Sequence, residues 1–238
     1  MTDTASTLRE AWETHAEEWT EWARRPGHDS YWRFHRDAFF ALLPAPGALT
    51  LDVGCGEGRV ARDLAARGHR VLALEPTPTL SRRAAEAGGG LLGVARADGA
   101  ALPVGGGAAD LVVAFMSLQD MDDMPGAVRE FARVLRPGGR LCLAVEHPIN
   151  SAGRFAGREA DAEFVITGDY FEPRRSRMAV ERDGLRMTFD SRHWSLEDYF
   201  RALEGAGFLT EDLREPRPGD GGPWDRVPLF VDLRAVRS

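Results

Sequence analysis

The chain contains no lysine, so all 30 of its basic residues are arginine. This absence excludes mechanisms that need a lysine base or a lysine Schiff base. The arginine bias is typical of bacteria with GC-rich genomes. Only two cysteines are present, Cys55 and Cys142, without CxxC spacing or clustered histidines. They argue against a disulfide framework and against a cysteine-based zinc site, and we predict two buried thiols and no metal.

Long apolar runs and an excess of positive charge are also absent. No hydrophobic stretch approaches the roughly 20 residues needed to cross a bilayer, and the net charge is -7 with no basic stripe. The segment Met1–Ala5 is not a basic region leading into an apolar one, so nothing predicts secretion. We therefore expect a soluble, cytoplasmic protein without nucleic-acid or membrane partners.

Two helices are predicted before residue 47. Leu8–Trp22 is amphipathic and places aromatic residues at steps of three and four, among them Trp12 and Trp19. A second helix is predicted from about Ser30 to Leu43, where the proline-rich segment Pro44–Gly47 ends it. The aromatic stripe is interpreted either as core packing or as a lid over a binding crevice.

From Leu49 onward, short apolar runs alternate with helical stretches. The predicted strands are Leu49–Val53, Val71–Leu74, Leu92–Ala95, Asp110–Phe115 and Arg140–Val145, with helices to Arg67, through Ala87 and over Gly126–Leu135. This alternation is typical of βαβ units and a parallel sheet. Ile149–Phe189 loses the pattern and is interpreted as an insertion over the carboxyl edge of the sheet. A helix from Ser195 to Gly205 and a last strand, Leu229–Val236, follow.

The most informative segment is Leu51–Arg59, a strand that leads through three alternating glycines into a helix. Glycine lets the backbone turn tightly and approach a ligand near a helix N-terminus. Glu75 ends the next strand, where an acid can accept hydrogen bonds from both ribose hydroxyls of a nucleoside. The pattern reads G-x-G-x-G, and Arg59 stands where a dinucleotide fingerprint has its third glycine, which disfavours NAD.

Four blocks in this order resemble class I S-adenosylmethionine-dependent methyltransferases, and most closely their type-11 small-molecule subset. The blocks are Leu51–Gly58, Leu74–Pro76, Asp98–Pro103 and Leu135–Leu141, and the resemblance spans about Leu49–Pro148. It implies S-adenosylmethionine as cofactor and a Rossmann-like α/β fold. That fold is a doubly wound, seven-stranded, mainly parallel sheet with a reversed last hairpin, preceded here by N-terminal helices and carrying a lid insertion.

The resemblance also implies roles for individual residues. Gly54 and Gly56 would lie against the methionine part of the cofactor, Asp52 would hold its amino group, and Glu75 would bind its ribose. The adenine would be contacted by Pro76, Asp98, Gly99, Ala100, Phe115 and Met116, and Trp19 would contribute from the N-terminal helix. Asp110, which begins a strand, is interpreted as structural.

A candidate base, His147, lies at the carboxyl end of a predicted central strand, where open α/β sheets place their active sites. Its imidazole is suited to taking a proton from a hydroxyl, and the alternative is a backbone hydrogen bond beside Pro148. Gln119, Asp120 and His193 are further candidates for contact with the acceptor. His147 favours O-methylation.

We therefore predict one methyltransferase domain over residues 1–238. It is divided into an N-terminal helical cap (1–46), a cofactor-binding core (47–148), an acceptor lid (149–190) and the C-terminal part of the sheet (191–238). The predicted activity is methylation of a small bacterial metabolite or natural-product intermediate. The alternatives are N- or C-methylation, a cofactor-binding cyclase or other non-methylating protein, and an NAD(P)-dependent oxidoreductase. A monomer and a homodimer are both left open.

Overall fold

The computed structural model describes residues 6–238. Met1–Ala5, on which the predicted lack of a secretion signal rests, lie outside the described residues. The strands are β1 Thr50–Val53, β2 Val71–Leu74, β3 Gly93–Ala95, β4 Ala109–Phe115, β5 Leu135–Glu146, β6 Gly153–Phe155, β7 Phe164–Ile166, β8 Arg174–Arg182, β9 Leu185–His193, β10 Phe208–Arg214 and β11 Phe230–Arg237. The helices are α1 Leu8–Thr14, α2 Ala16–Arg24, α3 Arg36–Phe40, α4 Arg59–Ala66, α5 Pro78–Ala87, α6 Met124–Val134, α7 Pro148–Ala152 and α8 Leu196–Gly205.

Seven strands form one sheet in the order β10-β11-β5-β4-β1-β2-β3. β1 to β5 run parallel, whereas β11 pairs antiparallel with both β5 and β10. The predicted doubly wound, mainly parallel sheet with a reversed last hairpin is therefore confirmed. The sequence pattern did not predict β10. Only Phe208 of this strand is buried, so its residues do not alternate between apolar and polar.

Side chains of β4 alternate between two hydrophobic cores, because successive residues of a strand point to opposite faces. Val112 joins the core covered by α6 and α8, with Phe131 and Leu203 among its members. Leu111 and Val113 join the core covered by α4 and the N-terminal segment. Because these helices pack on the two faces of the sheet, they do not cover the carboxyl ends of its parallel strands.

The N-terminal region differs from the two continuous helices predicted. The first is interrupted at His15, just after Thr14 Oγ1 donates to the Glu10 carbonyl at 2.9 Å. Such bonding back to the preceding turn bends helices. The second begins as a π-turn over Tyr31–His35 and continues as α3 only to Phe40.

The insertion is more regular than its mixed composition predicted. It contains two antiparallel hairpins, β6 with β7 and β8 with β9, the second paired from Arg174 with His193 to Arg182 with Leu185. The β8–β9 hairpin packs β9 against α1 and α2. The N-terminal helices and the insertion therefore form one cover over the carboxyl edge of the sheet. Among residues 6–238, no helix combines the length and the apolar character needed to cross a membrane.

Candidate active site

The glycine loop follows β1 and reaches the first turn of α4. Gly54 and Gly56 have φ values of 70° and 57°, in the left-handed region that favours glycine. A Cβ on Gly54 would lie 2.5 Å from Ser117 Cβ, and one on Gly56 would lie 3.0 Å from Trp19 Nε1. Both positions therefore require glycine for conformation and for space.

The Glu75 carboxylate lies beside this loop, at the end of β2. One oxygen accepts a hydrogen bond from the Gly56 N–H at 2.9 Å, and the other accepts from the Thr77 N–H at 3.0 Å and the Thr77 hydroxyl at 2.8 Å. Burial raises the pKa of Glu75, and these hydrogen bonds oppose the shift. The carboxylate is thus fixed at the carboxyl end of β2, and about one of its four lone-pair sites is left to accept a further hydrogen bond.

Asp52 lies inside β1, and its side chain is 1% exposed. Its Oδ2 atom has no hydrogen-bond partner among the described residues. Burial, and then the charge of Glu75, raise the pKa of Asp52 to about 7. A buried carboxylate oxygen without a donor is costly, so this atom indicates a ligand that donates a hydrogen bond.

Most, but not all, of the residues predicted to contact the adenine line one cavity. Asp98 and Gly99 line the cavity described below, as does Pro76. Ala100 does not line it; instead its N–H donates to Asp98 Oδ1 at 2.9 Å. Ala100 therefore shapes the Asp98 turn without facing the cavity, which corrects the predicted contact.

The end of β4 forms the opposite wall. Phe115 and Met116 line the cavity, and Met116 has a φ of 53°, which is rare for a residue other than glycine. The hydroxyl of the next residue, Ser117, donates to the Val53 carbonyl at 2.7 Å and joins this wall to β1. Residues held in such conformations cluster at functional sites.

The cover brings aromatic side chains over the glycine loop. Trp19 lies in edge contact with Trp12 and Phe189, with ring centroids 5.8 Å and 6.0 Å apart. The Arg59 guanidinium lies 4.8 Å from the centre of the Trp19 ring. Arg59 also donates to Asp29 at 2.6 Å, so the first turn of α4 holds the N-terminal segment in place.

These elements enclose a cavity of about 340 Å³. Ten of the predicted cofactor residues line it, namely Trp19, Asp52, Gly54, Gly56, Glu75, Pro76, Asp98, Gly99, Phe115 and Met116. Two side chains of β8, Met178 and Val180, and Phe189 of β9 close the far side. The sequence analysis placed a cover here but did not identify these three residues.

His147 is not among the residues that line the cavity. Its Nδ1 accepts a hydrogen bond from the Ile149 N–H at 3.1 Å, and its Nε2 lies 3.3 Å from a Glu215 oxygen. Burial lowers the pKa of His147, although Glu215 opposes the shift. The structure thus favours the backbone-bonding alternative and does not bring the predicted base to the site.

Three polar residues at the ends of β4 and β5 line the cavity instead: Gln119, Asp120 and Glu146. Gln119 and Asp120 were considered for acceptor contact, whereas Glu146 was missed. The sequence did contain a signal for it. Glu146 follows a buried apolar strand directly, as Glu75 follows β2.

The chemistry of these residues fits S-adenosylmethionine. An unpartnered buried Asp52 oxygen suits an ammonium group, and the fixed Glu75 carboxylate suits a ribose hydroxyl. Gly54 and Gly56 have no side chains that would fill the space between β1 and the cover.

Comparison with known proteins agrees with this geometry. Residues 51–143 match the family model described as a methyltransferase domain. A structure of an S-adenosylmethionine-dependent methyltransferase from Mesorhizobium loti superposes with a TM-score of 0.70 and 25% identity, over 88% of this chain and 98% of that one. Residues 51–143 therefore match a methyltransferase domain, and the fold of the chain is that of S-adenosylmethionine-dependent methyltransferases, which implies S-adenosylmethionine as cofactor.

The curated relatives match this chain over different lengths. Nocamycin O-methyltransferase of Saccharothrix syringae is 37% identical over 120 residues, which cover 48% of this chain and 43% of the relative. The S-adenosyl-L-methionine-dependent Diels-Alderase iliD of Neonectria sp. (strain DH2) is 27% identical over 217 residues, 82% of this chain and 75% of the relative. The chain spans about half the length of the first curated relatives that it matches.

Proposed function

We propose that this protein transfers a methyl group from S-adenosylmethionine to a hydroxyl of a small molecule. The observation that carries the proposal is the buried pair Asp52 and Glu75, which flanks the glycine loop in the cavity under the cover. The cavity volume and its cover of aromatic side chains favour a metabolite over a macromolecule as acceptor. The O-methyltransferases among the relatives support oxygen as the methylated atom.

The protein contributes binding and positioning. Asp52 and Glu75 hold the amino group and the ribose, while Gly54 and Gly56 admit the methionine portion. When bound, S-adenosylmethionine supplies an electrophilic methyl group. Trp19 and Phe189 in the cover exclude water and orient an acceptor, and such alignment at near-attack distance supplies much of the rate enhancement of a displacement.

The division into a cap (1–46), a core (47–148), a lid (149–190) and a C-terminal part (191–238) belongs to this proposal. In it, the lid contributes its β8–β9 hairpin to the acceptor half of the cavity, through Met178 and Val180. The core contributes the cofactor half.

Titration calorimetry tests the cofactor part of the proposal. Wild-type protein should bind S-adenosylmethionine and S-adenosylhomocysteine at micromolar concentration, and NAD should not bind. Glu75→Ala should weaken both complexes at least tenfold, about 1.4 kcal/mol. Glu204→Ala is the matched control, because Glu204 is exposed on α8 and does not line the cavity. NAD binding in preference to the sulfur nucleosides would contradict the proposal.

A cofactor-bound cyclase is the second candidate. It is favoured by the relative named as a Diels-Alderase, because that similarity covers 82% of this chain and so extends beyond residues 51–143. Mass spectrometry of products distinguishes the two activities. A methyltransferase adds one methyl group to the acceptor and yields S-adenosylhomocysteine, whereas a cyclase yields an isomer of unchanged mass with the cofactor intact.

A further inference from the structure

Two carboxylates in the cavity have no partner. Asp120 follows β4 and Glu146 ends β5, and both line the cavity. Within residues 6–238, neither side chain makes a hydrogen bond or an ion pair with another residue. Because β4 and β5 are adjacent parallel strands, their carboxyl ends bring the two acids to one part of the edge.

Gln119 supplies an independent observation at the same place. Its side chain is 6% exposed and lines the cavity, and its Oε1 atom has no hydrogen-bond partner among the described residues. A buried acceptor atom without a donor indicates a ligand that brings a donor group. This part of the cavity therefore suits a molecule that donates hydrogen bonds.

The surroundings do not neutralise the two acids. The charges that act on Asp120 are those of Glu146, Glu75 and Asp190 on β9, all of them negative. The cavity lining includes Arg9, Arg59 and Arg182; Arg59 pairs with Asp29 at 2.6 Å and Arg182 donates to the His28 carbonyl at 2.9 Å, and among the described residues no arginine pairs with Asp120 or Glu146. An acceptor with a carboxylate or a phosphate at this end would oppose the ionisation of Glu146.

Burial and neighbouring charge alter the titration of both acids. Desolvation raises the pKa of Glu146 to about 7. Desolvation, and then the charges of Glu146, Glu75 and Asp190, hold the pKa of Asp120 well above its usual range. A carboxyl that titrates near neutrality is suited to general base catalysis at that pH.

We propose that Glu146 takes the proton of the acceptor hydroxyl, that Gln119 accepts a second hydrogen bond, and that the acceptor is uncharged or cationic at this end. The proposal rests on the methyl transfer proposed above. The acceptor oxygen bonds to the methyl carbon as the methyl–sulfur bond breaks, and the electron pair of that bond stays on sulfur. The hydroxyl proton passes to a Glu146 oxygen and then to solvent.

The spacing of the strands is compatible with this arrangement. Asp52 lies on β1 and Glu146 ends β5, with β4 between them. Two strand spacings amount to about 10 Å. The cofactor half and the acceptor half of the cavity can therefore be filled side by side, with Met116 and Ser117 at their boundary.

The test compares two ligands that differ by one charge. S-adenosylmethionine has a sulfonium, whereas S-adenosylhomocysteine has a neutral thioether at the same sulfur. If Glu146 faces the transferred methyl group, the sulfonium stabilises its ionised form and releases its proton. At pH 7 we expect S-adenosylmethionine to release roughly half a proton more per protein than S-adenosylhomocysteine. Calorimetry in buffers of different ionisation enthalpy measures this number.

Glu146→Gln should abolish the difference while still binding both nucleosides, and Glu204→Gln should leave the difference as in the wild type. Asp120→Asn is a second variant: the difference between the two ligands should persist in it, and loss of the difference would assign the released proton to Asp120 and overturn the inference. Equal release with the two ligands, or an undiminished difference in Glu146→Gln, would overturn the inference and leave the proposed function standing. Failure of both nucleosides to bind would overturn the two together.

Discussion

Trp19 and Gly56 touch across the boundary between the cover and the core: a Cβ added to Gly56 would lie 3.0 Å from Trp19 Nε1. Trp19 belongs to α2 and Gly56 to the loop after β1, so a contact distant in the chain determines how tightly the cavity closes. The absent side chain at residue 56 therefore serves both the loop conformation and the packing of the cover.

Gly56→Ala should weaken S-adenosylhomocysteine binding at least tenfold, because the methyl group displaces Trp19 and strains a φ of 57°. In a Trp19→Phe background the clash with residue 19 should be smaller. The loss of binding free energy caused by Gly56→Ala should then fall to the conformational cost of about 1 kcal/mol. Titrations of the four proteins in a double-mutant cycle measure the coupling.

Gly90→Ala is the matched control for this cycle. Gly90 has a φ of 77° with nothing within 4 Å of an added Cβ, and it does not line the cavity. It should lose stability without losing ligand affinity. Identical costs of Gly56→Ala in both backgrounds would show that Trp19 does not pack on the loop.

Arg59 connects the same two regions. Its guanidinium pairs with Asp29 at 2.6 Å and lies 4.4 Å from the centre of the Tyr31 ring, and both members of the ion pair are about 10% exposed. Arg59→Gln leaves the Asp29 carboxylate without its counterion, so stability should fall by about 3 kcal/mol. Urea unfolding measures the change. Adding Asp29→Asn should recover part of it, and a double variant no more stable than Arg59→Gln would contradict the pairing.

The sequence predicted those parts of the site whose residues are close together in the chain. The loop after β1 and the acid after β2 were predicted because strand, glycines and carboxylate follow one another within 25 residues (51–75). The β8–β9 hairpin was missed because it is recognised by pairing: Met178 lies opposite Phe189, eleven residues along the chain, amid arginines and acids that hide the alternation.

The sequence analysis chose His147 as the candidate base and missed its neighbour Glu146, again because the deciding contact is distant in the chain. The two are neighbours at the end of β5, and only one of them lines the cavity. Because successive strand side chains point to opposite faces, a shift of one residue decides which side chain reaches a ligand. That orientation is fixed by the pairing of Glu146 with Phe230 on β11, about 80 residues later.

Asp52 should make the stability of the ligand-free protein depend on pH. Its pKa is raised to about 7 in the folded state from the ordinary 3.8. A raised folded pKa contributes stability that is fully present below the unfolded pKa, and that contribution is lost as pH rises through about 7. Asp52→Asn removes this dependence, so relative to wild type it should gain up to about 4 kcal/mol between pH 4 and pH 8.

Urea unfolding at several pH values measures this difference, and Asp37→Asn serves as the control. Asp37 lies on α3 with a side chain that is 87% exposed. Its substitution should change stability by the same small amount at every pH. A constant difference between wild type and Asp52→Asn would mean that the Asp52 carboxyl is solvated in the folded state.

Kinetics with a hydroxyl acceptor, once screening has found one, separate the two neighbouring candidates for the base. Glu146→Gln should lower kcat by about 10²–10⁴, the usual contribution of general base catalysis, with little change in the KM for S-adenosylmethionine. His147→Gln should lower kcat less than tenfold, because the imidazole faces Ile149 and Glu215 outside the cavity lining.

The pH dependence makes the distinction sharper. Wild-type kcat/KM for S-adenosylmethionine should rise with pH to a plateau above about 7, as Glu146 of the free enzyme loses its proton, and kcat should reach its plateau at lower pH because the sulfonium stabilises the ionised form. His147→Gln should keep this profile, and Glu146→Gln should flatten it. A profile that flattens in His147→Gln and persists in Glu146→Gln would return the role of base to the histidine, and would require the end of β5 to rearrange when the acceptor binds.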